Sequence, residues 1–365
     1  MRIALVRRGY SATGGAEAYL RRLANGLVQA GLEVVFYAST DWPKSAWDYG
    51  EIRRIAAKSP LAFAQELQSM KQKVDCLFSL ERILECDVYR AGDGVHKVWL
   101  QRRKQFEFPL RYWFRHFLNS KHRQILELEH RMFHPDHTGI IVANSQMVRQ
   151  EILAHYQFPK ERIVLIPNGF EAEMPAQNDR MRIRRQYGFS AEETIVLFTG
   201  TGWERKGLRF AVNAVNALRG RAKLLVAGRG PSKAYLSPHV TFAGPVSQMT
   251  PLYAAADIFI LPTLYDPFSN ACLEALSAGL PIITTEANGF SELLEKDERF
   301  GNKVPVGHEE SLVQALRHWL PSHARDNTRQ ARLDMAKKFS MKENVRKTLD
   351  AIQLSLEIRN KPPTN

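Results

Sequence analysis

Short apolar runs alternate with amphipathic stretches along most of this chain, the pattern of a parallel sheet flanked by helices. Residues 3–6 read as a buried strand and residues 15–30 as the helix that follows it. A second strand is expected at 33–38, entered through Gly31, with further candidates at 74–79 and 86–90. Residues 140–143 and 163–166 complete the series, with a helix from 145 to 156 between them. These elements amount to one doubly wound lobe.

Pro167-Asn168-Gly169-Phe170 and the loose stretch 171–178 break the pattern and read as a linker. The alternation then restarts, with strands expected at 194–199, 223–227, 240–242, 258–261 and 281–284. Helices are expected to start near Lys206, Met249, Ser269, Gly289 and Glu309. A final helix, 341–358, has no strand after it, and the end of the chain, with Pro362-Pro363, reads as frayed. The expected fold class is therefore α/β: two Rossmann-like doubly wound lobes with a ligand cleft between them. The first spans 1–168 and the second 169–340, with helix 341–358 packing back on the first and 359–365 as a tail. A length of 365 residues suits two such cores better than one.

Residues 97–134 do not fit a plain lobe and read as a helical insertion. Trp99, Phe106, Phe108, Tyr112, Trp113, Phe114 and Phe117 are mixed there with Lys97, Arg102, Arg103, Lys104, Arg111, Arg115, Lys121, Arg123 and Arg131. Such a mixture suits an anionic membrane surface, with aromatics at the headgroup boundary and cations on the lipid charge. A packed helical insertion with a solvated basic face explains it equally simply, and nucleic-acid binding uses the same residue types. Net charge supports any anionic partner: 51 basic against 38 acidic side chains leave +13.

The three cysteines, Cys76, Cys86 and Cys272, are far apart and lack metal-site spacing, which argues for a reducing compartment. No apolar run is long enough for a transmembrane helix, and the first residues are too charged for a signal segment. A cytoplasmic location is expected. His130, His134 and His137 form no convincing ligand set and no Asp-x-Asp occurs, so no metal is expected.

Gly14-Gly15 lies between the first strand and the first helix, where glycines let a backbone approach an anion and helix amides point at it. A tight strand–helix turn needs the same residues. The dinucleotide fingerprint G-x-G-x-x-G is missing from this turn, which disfavours a nicotinamide enzyme. In the second half, Gly200-Thr201-Gly202-Trp203-Glu204-Arg205-Lys206-Gly207 follows a strand in the same way. Arg205 and Lys206 at the start of a helix oppose its dipole unless an anion sits between them. They read either as a solvated turn or, preferably, as two cations gripping a diphosphate and neutralising its departing charge. Gly202 gives the loop its freedom.

The strongest signal runs from Pro262 to Pro281 as strand, loop, helix and strand entry. Asp266 lies in the loop at a strand's C-terminal end, where α/β folds bind ligands, and Glu274 lies in the following helix. Two carboxylates so placed accept hydrogen bonds from vicinal hydroxyls. The amides around Phe268, Ser269 and Asn270 are placed to meet a phosphate.

This stretch resembles the retaining family-4 glycosyltransferases of the GT-B fold. The match is Asp266, seven residues, then Glu274-Ala275-Leu276-Ser277-Ala278-Gly279-Leu280-Pro281. It extends in order to Gly14-Gly15, Pro167-Asn168-Gly169, Arg205-Lys206-Gly207, Ala227-Gly228-Arg229-Gly230-Pro231 and Ala255-Ala256-Asp257. Within the family the chain is similar to the lipopolysaccharide core glucosyltransferases, on its length, on Arg90-Ala91-Gly92-Asp93-Gly94-Val95-His96, and on the basic aromatic segment.

The resemblance implies a nucleotide-sugar donor, uridine-linked by default, and a lipid-linked saccharide acceptor, with no cofactor or nucleic acid. It implies that Gly14 and Gly15 meet the donor phosphate, that Arg205 and Lys206 hold the diphosphate, and that Glu274 binds the ribose. Asp266 would reach the donor sugar, helped by backbone at Phe268, Ser269 and Asn270. Asp93 or His96 would face the acceptor, unless Asp93 is a turn residue. Arg102, Arg103, Lys104, Arg111, Trp113 and Arg115 would contact the inner face of the cytoplasmic membrane. The family usually has Glu where this chain has Asp266, and Pro267-Phe268-Ser269-Asn270 replaces a glycine-rich run. A non-catalytic nucleotide- or glycan-binding protein on the same scaffold is the competing reading, as is a transferase acting on another cell-surface glycan.

Overall fold

The apolar runs form parallel strands buried on both faces, which is why they lack polar alternation. The computed structural model describes residues 1–11, 14–70, 73–106, 119–171 and 173–360. The chain divides into two units, Met1–Gly169 with Met341–Asn365, and Phe170–Ser340.

In the first unit the order is β1 (Arg2–Arg7), α1 (Gly15–Gln29), β2 (Glu33–Ser39), β3 (Glu51–Ile55), α2 (Pro60–Ser69), β4 (Cys76–Ser79) and β5 (Cys86–Arg90). There follow α3 (His96–Phe106), α4 (Ser120–Met132), β6 (Thr138–Ala143), α5 (Gln146–His155) and β7 (Ile163–Leu165). The strands pair in the order β3-β2-β1-β4-β5-β6-β7. The chain starts mid-sheet, winds outward to β3, and returns to the other side of β1 as β4. That reversal makes β1/β4 the topological switch point, where α/β sheets open a crevice at the strands' C-terminal ends.

The second unit repeats the plan with α6 (Asp179–Gln186), β8 (Ile195–Thr199), α7 (Trp203–Lys206), α8 (Leu208–Asn216), β9 (Lys223–Ala227), β10 (Val240–Gly244), α9 (Thr250–Ala255) and β11 (Ile258–Leu261). Next come α10 (Asn270–Ser277), β12 (Ile282–Thr285), β13 (Gly301–Val304), α11 (Glu309–Trp319), α12 (Ser322–Asp326) and α13 (Arg329–Ala336). Its sheet runs β10-β9-β8-β11-β12-β13, so its switch point is β8/β11. Asp257, just before β11, is a buried brace. Its carboxylate accepts from Arg184 at 2.6 Å, Arg180 at 2.7 Å and the Ile195 amide at 2.7 Å, tying α6 to the sheet.

Three local expectations are corrected. Strands β3 and β13 were not anticipated, because short edge strands that carry charge and stay half exposed leave no apolar run. Residues 97–134 are less an insertion than a crossover: β5 and β6 are parallel neighbours, with Val88 opposite Ile140, and parallel neighbours require such a connection. Residues 107–118, which include Arg111, Trp113 and Arg115, lie outside the described residues. Finally, the helix expected from near Lys206 comes in two pieces, α7 ending at Lys206 and α8 starting at Leu208.

The last helix, α14 (Met341–Asn360), packs in the first unit's core through Met341, Val345, Ala351 and Ile352. Asn344 accepts from the Tyr19 hydroxyl at 2.8 Å and donates to the Pro167 carbonyl at 2.6 Å. Arg90 lies over the Tyr19 ring at 3.9 Å and bonds Asn168. Gly169 is required by this packing, because a Cβ there would stand 2.6 Å from Asn344 Cβ and 2.7 Å from Met341 Sδ. Gly169→Ala is expected to destabilise the first unit by about 1–3 kcal/mol through overpacking. Urea unfolding followed by tryptophan fluorescence checks this, and an unchanged midpoint refutes it.

Candidate functional site

Both sets of motif residues fall at the switch point of their own sheet. In the second unit β8 ends at Thr199 and the chain turns through Gly200 (φ +140°) and Gly202 (φ +69°) into the one-turn helix α7. Gly207, at φ +76°, stops that helix in the left-handed conformation and starts α8. Arg205 and Lys206 therefore end the one-turn α7 and stand directly ahead of α8, with Gly207 as its N-cap and Lys206 two residues before its start at Leu208. The loop after β11 meets them: the Arg205 carbonyl accepts from the Leu264 amide at 2.8 Å and from Thr263 Oγ1 at 3.0 Å. The Arg205 guanidinium donates to the Tyr265 carbonyl at 2.7 Å.

Lys206 Nζ is ion-paired with Asp266, both largely buried. The Asp266 backbone is fixed on both sides, its amide bonded to Ala287 and its carbonyl to Gly289, each at 2.9 Å. Phe268 packs against Phe290. Ser269 caps α10, accepting from the Cys272 amide at 3.3 Å, and its own amide bonds Asn288 Oδ1. Of the amides expected to meet a phosphate, that of Ser269 is thus already used. Asn270 opens α10, and Glu274, one turn further, accepts from the Tyr253 hydroxyl at 2.9 Å.

In the first unit Gly14 is the N-cap of α1 and Gly15 its first residue. The Glu17 side chain reaches back over this end, so that a Cβ on Gly14 would collide with Glu17 Oε2. Burial raises the Glu17 carboxyl above the usual range, against the pull of Arg7. Asp93, in the turn after β5, is exposed and ion-paired with Arg7 at 2.8 Å. Burial disfavours the Arg7 charge, but Asp93, Glu81 and Glu17 outweigh it. His96 differs. It begins α3, its ring lies 3.0 Å from His122, and its amide bonds the buried carboxylate of Glu129. Burial, then the charges of Arg82 and His122, push the His96 ring down to about 3.

Arg7, Glu17 and Tyr253 were missed in the sequence. A charge ending an apolar run marks Arg7, but a tyrosine within an apolar helix face reads as core. Among the membrane candidates, Arg102 pairs with Glu151 at 3.5 Å, Arg103 lies 6.0 Å from the Trp99 ring, and Lys104 is exposed. Among the described residues no group of His, Cys, Asp or Glu is placed to hold a metal, and no helix is long and apolar enough to cross a membrane.

Two Rossmann-like units, the second with a cation pair and two carboxylates at its switch point, make up the scaffold. The profile described as Glycosyltransferase Family 4 matches residues 13–173, and that described as Glycosyl transferases group 1 matches 193–322. The chain belongs to the family-4 glycosyltransferases of the GT-B fold and is an enzyme of that class. It is 22% identical to the lipopolysaccharide glucosyltransferase WaaG of Escherichia coli over 314 residues, 78% of this chain and 80% of that one. A glycosyltransferase of Methanocaldococcus jannaschii is 25% identical over 241 residues, where the match spans only 60% of either chain. The crystal structure of WaaG superposes with a TM-score of 0.81 at 22% identity, covering 96% of this chain and 99% of that one. Anabaena HepE in complex with UDP-glucose gives 0.73 at 17% identity, covering 96% and 100%.

The neutral His96 makes a testable contribution to stability. Its folded value, near 3, lies below the unfolded value of 6.5, so between them the unfolded chain binds more protons. The contribution is complete above pH 6.5 and is lost as pH falls toward 3. His96→Gln is expected to flatten the stability curve across that window, measured by urea midpoints at stepped pH. An unaltered slope would show that His96 does not carry it.

Proposed function

We propose that this enzyme is a retaining transferase that moves a hexose, glucose foremost, from a UDP-linked donor to a lipid-linked saccharide, the inner-core heptose of lipopolysaccharide. The observation that carries the donor half is the convergence of Arg205, Lys206, Asp266 and Glu274 at β8/β11. Arg205 and Lys206 take the diphosphate and offset its growing charge as the sugar departs, in place of a metal ion. Glu274 takes the ribose hydroxyls and Asp266 a donor-sugar hydroxyl. The amides of Gly14 and Gly15 offer a further phosphate contact once Glu17 moves aside.

Asp93 is the acceptor-side residue of this reading, being exposed where His96 is partly buried and held against His122. The acceptor oxygen attacks the anomeric carbon on the face that the phosphate leaves, and a β-phosphate oxygen takes its proton. The acceptor assignment is supported by the similarity to WaaG, a lipopolysaccharide glucosyltransferase, and the UDP-glucose donor by the ligand of HepE. The +13 charge and the basic aromatic crossover support peripheral attachment at the inner face of the cytoplasmic membrane.

Two measurements test this. In a thermal-shift panel of UDP-, ADP- and GDP-glucose, the UDP sugar is expected to stabilise by about 2.7 kcal/mol at a hundred times its Kd. A panel without any shift overturns the donor assignment. Arg205→Ala and Lys206→Ala should each lower kcat/KM by about 10²–10³. Asp93→Ala should lower transfer while leaving donor affinity unchanged, and undiminished turnover would remove it from the site.

A further inference from the structure

Glu274 does not stand alone on its helix. Tyr253, on α9, is buried at 4% exposure, and its ring packs 6.0 Å from that of Phe259 on β11. Its hydroxyl donates to Glu274 Oε2 at 2.9 Å and lies 3.4 Å from the Ala271 carbonyl oxygen. The side chain of Thr199, the last residue of β8, lies near the same hydroxyl. A phenol has one proton to give. The shorter contact, to Glu274 Oε2, is the one that proton makes. Burial, then the Glu274 charge, keep the phenol protonated. Thr199, Tyr253 and Glu274 thus form a chain from the end of β8, where the diphosphate loop begins, to the helix after β11.

We propose that Tyr253 is a positioning residue for nucleotide recognition: by holding Glu274 through Oε2 it fixes the carboxylate edge presented to the donor's ribose diol and sets the preference for ribonucleotides. A glutamate has three side-chain torsions to immobilise, and a partner that fixes them before binding removes that cost from the bound complex. A vicinal diol needs two acceptor positions held at a set spacing, so a swinging carboxylate loses discrimination before it loses charge. The inference rests on the reading of Glu274 as the ribose contact.

The test measures affinities by calorimetry for UDP, 2′-deoxy-UDP and 3′-deoxy-UDP, with ADP and its 2′-deoxy analogue in parallel. The parent should favour the ribonucleotide about ten- to a hundredfold, the range for hydrogen bonds to a charged group. Tyr253→Phe keeps the ring and its packing, and should bring that ratio to within about threefold. Thr199→Val, which leaves the phenol in place but unsupported, should fall between. Because the ratio is independent of the fraction of folded protein, a merely structural role would not move it. If Tyr253→Phe does not fold, Thr199→Val alone must shrink the ratio. Parental ratios in these variants, with the ratio lost in Glu274→Gln, overturn the inference and leave the ribose role of Glu274 intact. A ratio that survives Glu274→Gln, or a parent with no preference or no nucleotide binding, overturns that role and the inference with it.

Discussion

Where the backbone of Gly207 passes Pro262, a Cβ would lie 1.9 Å from the proline carbonyl oxygen, and the local φ of +76° already excludes most side chains. This approach presses the connection after β8 against the loop after β11. Arg205 can then offer its carbonyl to Leu264 and Thr263 and its guanidinium to Tyr265, so that loop and helix brace each other. Lys206 next to Asp266 is a consequence, not an independent feature. A parallel sheet sends both connections to the same end, and the reversal at β8/β11 leaves room between them.

The two units divide the charge chemistry. The second gathers cations at the end of α7, just ahead of α8, and Asp266 balances one of them. The first sets Arg7 among Asp93, Glu81 and Glu17, so this arginine is balanced by carboxylates. Glu17 lies over the start of α1, satisfying a helix end that would otherwise attract an external anion.

The fold was legible because most of the parallel strands are buried on both faces and write continuous apolar runs, with amphipathic stretches between them. What escaped had no such signature. Strands β3 and β13 are edges that carry arginine or lysine, and α7 is a single turn ended by Gly207, invisible to any periodicity. The motif residues themselves were legible, but their partners were not. Arg7 and Tyr253 lie 86 and 21 positions from the groups they hold, distances that no local pattern spans.

Not every residue of the family pattern speaks for activity. Gly279 sits at φ +82°, its amide on Leu276 at 2.9 Å and the Leu280 amide on Ala275 at 3.0 Å, which is a Schellman ending for α10. Buried Arg332 then holds the Gly279 carbonyl at 2.7 Å. Gly169 is fixed by α14 and Asp257 by two arginines, so these motif positions would persist in an inert scaffold. Arg205, Lys206 and Asp266 are different. A largely buried ammonium–carboxylate pair beside a guanidinium costs desolvation that an apolar trio would avoid, and their loop is already braced by backbone hydrogen bonds. Arg205 also braces the loop through Tyr265, but packing gives no reason to keep Lys206 and Asp266, and the proposed anionic substrate would give one.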